Sequence, residues 1–199
     1  MKRIIRQATY VASGTLILAS ILYQIYSLAA SNNLELTNFF SLFTIQSNIL
    51  AGIVFILASY KQNPTIDSLR GIATLSLLIT SLGFIVLLGG TQDYLLPWIN
   101  VVVHYLAPAF ALLSWICDPP TTKISFKQAL AWLLYPLLYF TYSMARGYIT
   151  NWYPYDFIDP NKVSIAVIAY NFGVVFLGSL IIIWLMTRIT TKPGSSLIS

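Results

Sequence analysis

The stretch Val163 to Thr187 reads VSIAVIAYNFGVVFLGSLIIIWLMT and contains no charged residue. A helix rises about 1.5 Å per residue, so an apolar run of about 20 residues reaches across the hydrocarbon core of a bilayer, roughly 30 Å. Five other apolar runs of similar length precede this one, and polar breaks separate them. The runs predict six transmembrane helices, at about residues 8–30, 39–60, 69–88, 95–117, 126–148 and 163–187.

The composition agrees with an all-α membrane protein. Of the 199 residues, 57% are hydrophobic and 9% are charged, whereas a soluble domain carries about 25% charged residues. This disfavours a soluble enzyme, a disordered chain and a free nucleic-acid-binding domain, despite the formal net charge of +5. The apolar runs are continuous rather than alternating, which disfavours a membrane β-barrel. We expect residues 1–199 to form one domain, a bundle of six transmembrane helices.

The basic residues predict the orientation of this bundle. When six spans are threaded, nine of the eleven basic residues lie on the side of the termini, and Arg146 and Lys162 lie on the other side. Because basic residues concentrate in cytoplasmic loops, both termini are expected in the cytoplasm. The nine are Lys2, Arg3, Arg6, Lys61, Arg70, Lys123, Lys127, Arg188 and Lys192. The acidic residues predicted outside are Glu35, Asp93, Asp156 and Asp159.

Polar side chains interrupt the second apolar run. Ser41, Thr44, Ser47 and Asn48 are spaced by three and four residues, so they share one face of a helix. A hydroxyl in such a helix can bond to a carbonyl one turn back. The amide of Asn48 requires partners beyond its own helix. This face is therefore a candidate polar site.

The fourth run contains His104, the only histidine of the chain. Asn100 lies one turn before it on the same face, and Pro108 lies four residues after it and predicts a kink. An ionisable group inside a membrane helix is a functional candidate, although a neutral histidine bonded inside the bundle is the alternative. With one histidine and one cysteine, Cys117, we expect no metal site, and we expect no cofactor, since haem between helices often uses two axial histidines.

Depth in the membrane allows the second and fourth helices to share a site. Thr44 is about six residues into its span, roughly 9 Å, and His104 is about nine residues into its span, roughly 13 Å. Both helices run in the same direction, so a hydroxyl and an imidazole can meet, which is the minimum set for nucleophilic catalysis. No acidic residue lies inside a predicted span, so an amide, Asn48 or Asn100, would orient the imidazole or donate to an oxyanion.

Arg146 lies at the outer end of the fifth span. It is either an interfacial cation paired with Asp156 or Asp159, or a clamp for an anionic head group, since guanidinium matches carboxylate and phosphate. We predict that it faces inward and that the loop 149–162 packs over the mouth of the bundle. The aromatic residues near this boundary predict an interfacial belt. They are Tyr94, Trp98, Tyr148, Trp152, Tyr153 and Tyr155.

Several short motifs follow one another along the chain: FTIQSN at 43–48, HYLAP at 104–108, YP at 135–136, RG at 146–147 and WYPY at 152–155. In their order and in the number of spans, the chain resembles bacterial six-span proteins related to the androgen-induced gene family. Animal members of that family are membrane hydrolases that act on fatty acid esters of hydroxy fatty acids and use a membrane-embedded threonine and histidine.

The resemblance implies that Thr44 is the nucleophile and His104 the base of a lipid-ester hydrolase in a bacterial inner membrane. The expected partners are membrane lipids and a lipid-ester substrate, with Arg146 as a substrate-binding residue. The alternative is a non-catalytic lipid-binding or transport protein with a polar cavity. An acyl transferase would differ from a hydrolase only in its acceptor.

Overall fold

The computed structural model describes residues 3–90 and 94–189, and every regular element within these ranges is helical. The α-helices are α1 (Arg3–Ala30), α2 (Leu36–Phe40), α3 (Phe43–Tyr60), α4 (Pro64–Val86), α5 (Pro97–Val101), α6 (Ala107–Cys117), α7 (Phe126–Ala129), α8 (Leu134–Thr150) and α9 (Ile165–Ile189). A π-helical turn over Val102–Leu106 joins α5 to α6, and 3₁₀ turns occur at Leu130–Leu133 and Asp156–Ile158.

Five helical segments in the described ranges are long and apolar enough to cross a membrane: α1, α3, α4, α9 and the segment Pro97–Cys117. The fifth predicted span, 126–148, is helical but in three pieces, since a 3₁₀ turn separates α7 from α8. Five long apolar helices are compatible with an integral membrane protein.

The second predicted span begins later than the sequence indicates. Helix α2 ends at Phe40, Leu42 is extended (φ −78°, ψ 129°), and α3 begins at Phe43. The predicted start at Phe39 is therefore wrong, and Ser41 does not share the polar face of α3. The break makes Thr44 the second residue of a helix.

Pro64, in the polar break between the second and third predicted spans, is the first residue of α4. Asn63 caps this helix, because its Oδ1 accepts a hydrogen bond of 2.9 Å from the backbone N–H of Ile66. Proline suits the first helical position, where no N–H is needed and its fixed φ is already helical. The predicted start of the third span at Leu69 is thus five residues late.

The helices pack as neighbours in chain order: α1 on α3, α3 on α4, and α4 on the segment Pro97–Cys117, with α9 also against α4. The contact of α1 with α3 is close at Gly14 and Gly52. A Cβ atom at Gly14 would lie 2.7 Å from the carbonyl oxygen of Gly52. Small residues allow helix backbones to approach in this way in membrane bundles.

A cluster of paired charges ties together the beginnings of α1 and α4 and the end of α6. Arg70 contacts Asp67 at 3.2 Å and Asp118 at 3.8 Å, and Arg6 contacts Asp118 at 2.8 Å. We call these four residues the basal cluster. The side chains of Arg70 and Asp67 are each 1% exposed, so each charge requires its partners. Lys2, Asp93 and Lys192, used for the orientation, lie outside the described residues.

Candidate functional site

The structure brings together the threonine and the histidine predicted from the sequence. The Oγ1 atom of Thr44 lies 3.3 Å from Nε2 of His104. Thr44 is 4% exposed and His104 is fully buried. The predicted convergence of these side chains is confirmed, and their chemical roles stay predictions.

Asn100 lies on the other side of the imidazole. Its Oδ1 lies 2.6 Å and its backbone oxygen 3.3 Å from Nδ1 of His104. Both oxygens only accept hydrogen bonds, so Nδ1 carries the proton and the lone pair of Nε2 faces Thr44. The ring of Phe84 stacks on the imidazole with centroids 3.9 Å apart and planes 12° apart. Of the two roles predicted for Asn100, the geometry matches that of an orienting residue.

The histidine lies within the π-helical turn Val102–Leu106, not in regular α-helix. In this turn the N–H of Ala107 donates to the carbonyl of Val102, five residues back. The same register would pair the carbonyl of Val103 with the nitrogen of Pro108, which has no hydrogen. The expected effect of Pro108 on the helix thus takes the form of a π turn, which is a frequent feature of functional sites.

Asn48 satisfies the carbonyl that this turn leaves free. Its Nδ2 donates to the oxygen of Val103 at 3.2 Å and to the oxygen of Thr44 at 2.9 Å. Both amide hydrogens have partners, so Asn48 has none left for an oxyanion. It links α3 to the π turn and thereby keeps the two backbone segments that carry Thr44 and His104 next to each other.

Two phenols cap the beginning of α3. The N–H of Phe43 donates to Oη of Tyr139 at 3.2 Å, and the N–H of Thr44 donates to Oη of Tyr155 at 3.2 Å. The residue before the helix, Leu42, offers no side-chain cap. The first N–H groups of a helix are its positive end. The hydroxyl of Thr44 therefore lies where a developing negative charge is favoured.

Tyr139 and Tyr155 are site residues that the sequence did not single out, and for Tyr155 the aromatic belt was an adequate explanation. Tyr155 is the one of the two that also approaches the side chain of Thr44. Its Oη also lies 3.4 Å from Oγ1 of Thr44. Burial raises the pKa of the Tyr155 phenol above its usual value, so the group stays protonated at neutral pH. The available signal was its position in a loop too long for a simple turn.

A cavity of about 120 Å³ lies beside these groups, between α4, α8 and α9. Thr44, His104, Tyr139 and Tyr155 line it, and most of its other lining is apolar. The described residues that line it include no Asp, Glu, Lys or Arg. Asn171 and Ser179 of α9 both line it, so it extends over at least about 12 Å of that helix. Its mostly apolar lining suits an apolar group better than a charged one.

The loop 149–162 covers this cavity, as predicted. Tyr155, Phe157 and Ile158 form part of its lining. The side chain of Asn171 on α9 fixes the loop, since its Nδ2 donates to the carbonyl of Phe157 at 3.0 Å.

Arg146 lies outside the cavity lining, so the prediction that it faces the cavity is wrong. Its Nη2 donates to Oδ1 of Asn38 at 2.6 Å, and its guanidinium lies 4.5 Å from the ring centre of Trp152. Its Nη1 is buried without a hydrogen-bond partner. Asp156, one of the two acidic residues considered as a partner for Arg146, contacts Lys162 at 2.6 Å. Arg146 thus holds α8 against α2 and the loop.

The described residues contain no group of three or more His, Cys, Asp or Glu side chains able to hold a metal ion. The polar groups that the chain places at the site are a hydroxyl, an imidazole, side-chain amides and two phenols. Comparison of the chain with protein-family models, with curated proteins and with solved structures gives no match.

Proposed function

We propose that the protein is an intramembrane hydrolase of long-chain lipid esters, such as fatty acid esters of hydroxy fatty acids. The observation that carries the proposal is the row of contacts from Asn100 through His104 to Thr44 beside an apolar cavity. A base–nucleophile pair with a third group orienting the base is the arrangement of nucleophilic catalysis. The motif resemblance to the androgen-induced gene family supports the same reaction.

The reaction follows from the hydrogen-bond roles. Nε2 of His104 accepts the Thr44 proton as Oγ1 attacks the acyl carbonyl, and it returns this proton to the leaving alcohol. Asn100 keeps the proton on Nδ1 and stabilises the imidazolium that forms. Water then hydrolyses the acyl-threonine by the same route. A positioned general base contributes typically about 10²–10⁴-fold to such a rate.

The apolar cavity would take the acyl chain of the substrate. The described residues of its lining carry no fixed charge, so an uncharged acyl chain would bind there without leaving a charged side chain unpaired. Arg146 lies outside the lining of this cavity and is the proposed contact for an anionic head group, because its Nη1 has no hydrogen-bond partner among the described residues. Guanidinium binds carboxylate and phosphate through two parallel hydrogen bonds.

The proposed setting is a bacterial inner membrane with six spans and both termini in the cytoplasm. The sixth span would be the three-piece helical segment 126–150, which at about 1.5 Å per residue is long enough to cross the hydrocarbon core. This threading places the basal cluster on the cytoplasmic side and Thr44 in the outer half of the bilayer. The substrate would then enter from the outer leaflet.

The experiment that tests the function uses purified protein in detergent with a panel of long-chain lipid esters and a fluorophosphonate probe. We expect ester turnover and covalent labelling by the wild type, and loss of both in Thr44→Ala. Thr74→Ala is the matched control, since this buried threonine has no hydrogen-bond partner and lies outside the cavity lining. Turnover that survives in Thr44→Ala would contradict the proposal and favour a lipid-binding or transport protein, for which the apolar cavity is the supporting observation.

A further inference from the structure

The proposed reaction needs a hydrogen-bond donor for the oxyanion that forms when Thr44 attacks the ester, and this further inference rests on that proposed function. Neither amide predicted from the sequence is free for the task. Asn48 donates both hydrogens to backbone carbonyls, and Asn100 is bound to the imidazole. The donor must therefore be another group within reach of Oγ1 of Thr44.

The two phenols at the start of α3 differ in what their hydrogens can do. Tyr139 accepts from the N–H of Phe43 and donates to the carbonyl of Ser41 at 3.0 Å, so its hydrogen is used. Tyr155 accepts from the N–H of Thr44, and its Oη lies 3.4 Å from Oγ1 of Thr44, with the phenol of Tyr139 also beside it. This distance is long for a bond between two hydroxyls. The Tyr155 hydroxyl thus lies beside the proposed nucleophile, whereas the hydrogen of Tyr139 is bound at the carbonyl of Ser41.

We infer that the hydroxyl of Tyr155 is the oxyanion donor of this hydrolase, supplied by the loop that covers the cavity. As Oγ1 of Thr44 bonds to the carbonyl carbon, the proton of Oγ1 passes to Nε2 of His104. The π electron pair of the carbonyl moves onto its oxygen, and that oxygen accepts the Tyr155 hydrogen.

Collapse of this intermediate re-forms the carbonyl and breaks the bond to the alcohol oxygen, which takes the proton from His104. Water then repeats the sequence on the acyl-threonine and releases the carboxylic acid. The positions of the residues fit this step. The oxyanion is one bond from the carbon that Oγ1 attacks, and Oη of Tyr155 lies 3.4 Å from Oγ1. The N–H of Thr44 donates to the same phenol oxygen and polarises its O–H bond. A protonated phenol, which burial favours, is the form that donates.

The test compares Tyr155→Phe with Tyr142→Phe in full-length protein, with turnover of the best ester from the panel as the readout. Tyr142 lies outside the cavity lining, and its Oη lies 2.7 Å from Oγ of Ser41, so each variant removes one phenol oxygen that takes part in a hydrogen bond near the start of α3. Removal of an oxyanion donor lowers kcat by about 10²–10³-fold. We expect that loss in Tyr155→Phe with KM nearly unchanged, and less than a tenfold loss in Tyr142→Phe.

A second measurement keeps the hydroxyl and changes its acidity. With a trifluorotyrosine at position 155, kcat should be retained at low pH and should fall as the pH rises through the lowered pKa of the phenol, since a phenolate cannot donate. Equal losses in the two phenylalanine variants, or full kcat in Tyr155→Phe, would overturn the inference while leaving the hydrolase intact. Absence of turnover by the wild type on every ester would overturn the hydrolase, and the inference with it.

Discussion

Thr44 and His104 act as a unit if the proposed chemistry holds, because a threonine hydroxyl is a poor nucleophile until a neighbour takes its proton. Their contact of 3.3 Å is buried. We predict that Thr44→Ala and His104→Ala each reduce kcat to background, and that the double variant is little worse than either. Thr44→Ser should retain part of the rate, since it keeps the hydroxyl. The measurement is ester turnover at saturating substrate. Losses that multiply in the double variant would mean that the two side chains work independently.

Asn100 determines which imidazole nitrogen faces Thr44. Without its Oδ1, the backbone carbonyl at 3.3 Å remains the acceptor for Nδ1 in this contact, and the ring is less firmly held. We predict that Asn100→Ala lowers kcat by at least about 10-fold, as part of the 10²–10⁴-fold contribution of a positioned base. Asn100→Asp should keep the acceptor oxygen and lower kcat less than Asn100→Ala does. Equal activity in Asn100→Ala and the wild type would remove Asn100 from the mechanism.

At the scale of elements, the π turn and the start of α3 depend on the link made by Asn48. Asn48→Ala leaves the carbonyl of Val103 without this donor in a buried site. Such a loss costs about 1–3 kcal/mol. We predict a free energy of unfolding lower by this amount, measured by denaturant unfolding in detergent. The control is Asn33→Ala on an exposed turn, which should stay within about 0.5 kcal/mol of the wild type. No destabilisation in Asn48→Ala would show that the π turn does not need this donor.

The sequence predicts the end of a helix well where an apolar run stops at a charge or a clear polar break. Ala30 and Cys117 are examples, since each is the last residue of its helix. It predicts the start of α3 poorly, because the N–H groups there are satisfied by Tyr139 and Tyr155, which are about 100 residues away in the chain. A local pattern carries no information about such caps.

The same limit on local sequence patterns applies to the residues of the candidate site. Thr44 and His104 could be found because a polar group stands out in an apolar run. Their depths in the membrane could also be compared, because depth follows from the number of residues between each side chain and the end of its span. Tyr155 could not, since an aromatic residue at a membrane boundary already has an ordinary explanation. The prediction that the side chain of Arg146 faces the cavity was wrong because its actual partners, Asn38 and Trp152, lie on separate elements.

At the scale of the whole molecule, the basal cluster holds three helices together by charge pairs. Arg70→Met removes one partner and leaves Asp67 buried without its cation. Breaking a buried pair in this way costs about 3–5 kcal/mol. We predict a correspondingly lower free energy of unfolding, measured by denaturant titration. Lys162→Gln, which removes an exposed ion pair with Asp156, is the control and should leave the free energy of unfolding nearly unchanged. An equally small effect in Arg70→Met would show that the cluster is dispensable.

In the proposed function, the orientation of the bundle decides which leaflet would supply the substrate. Nine of the eleven basic residues lie on one side of a six-span threading, and moving such loops across a membrane is disfavoured. We predict that alkaline phosphatase fused after Ser199 is inactive in a bacterial host, because the enzyme folds only after export. The same reporter inserted after Asn161, in the loop that covers the cavity, should be active. Green fluorescent protein at the two positions should give the opposite pattern. High phosphatase activity at Ser199 together with none at Asn161 would invert the molecule and place Thr44 in the inner half of the bilayer.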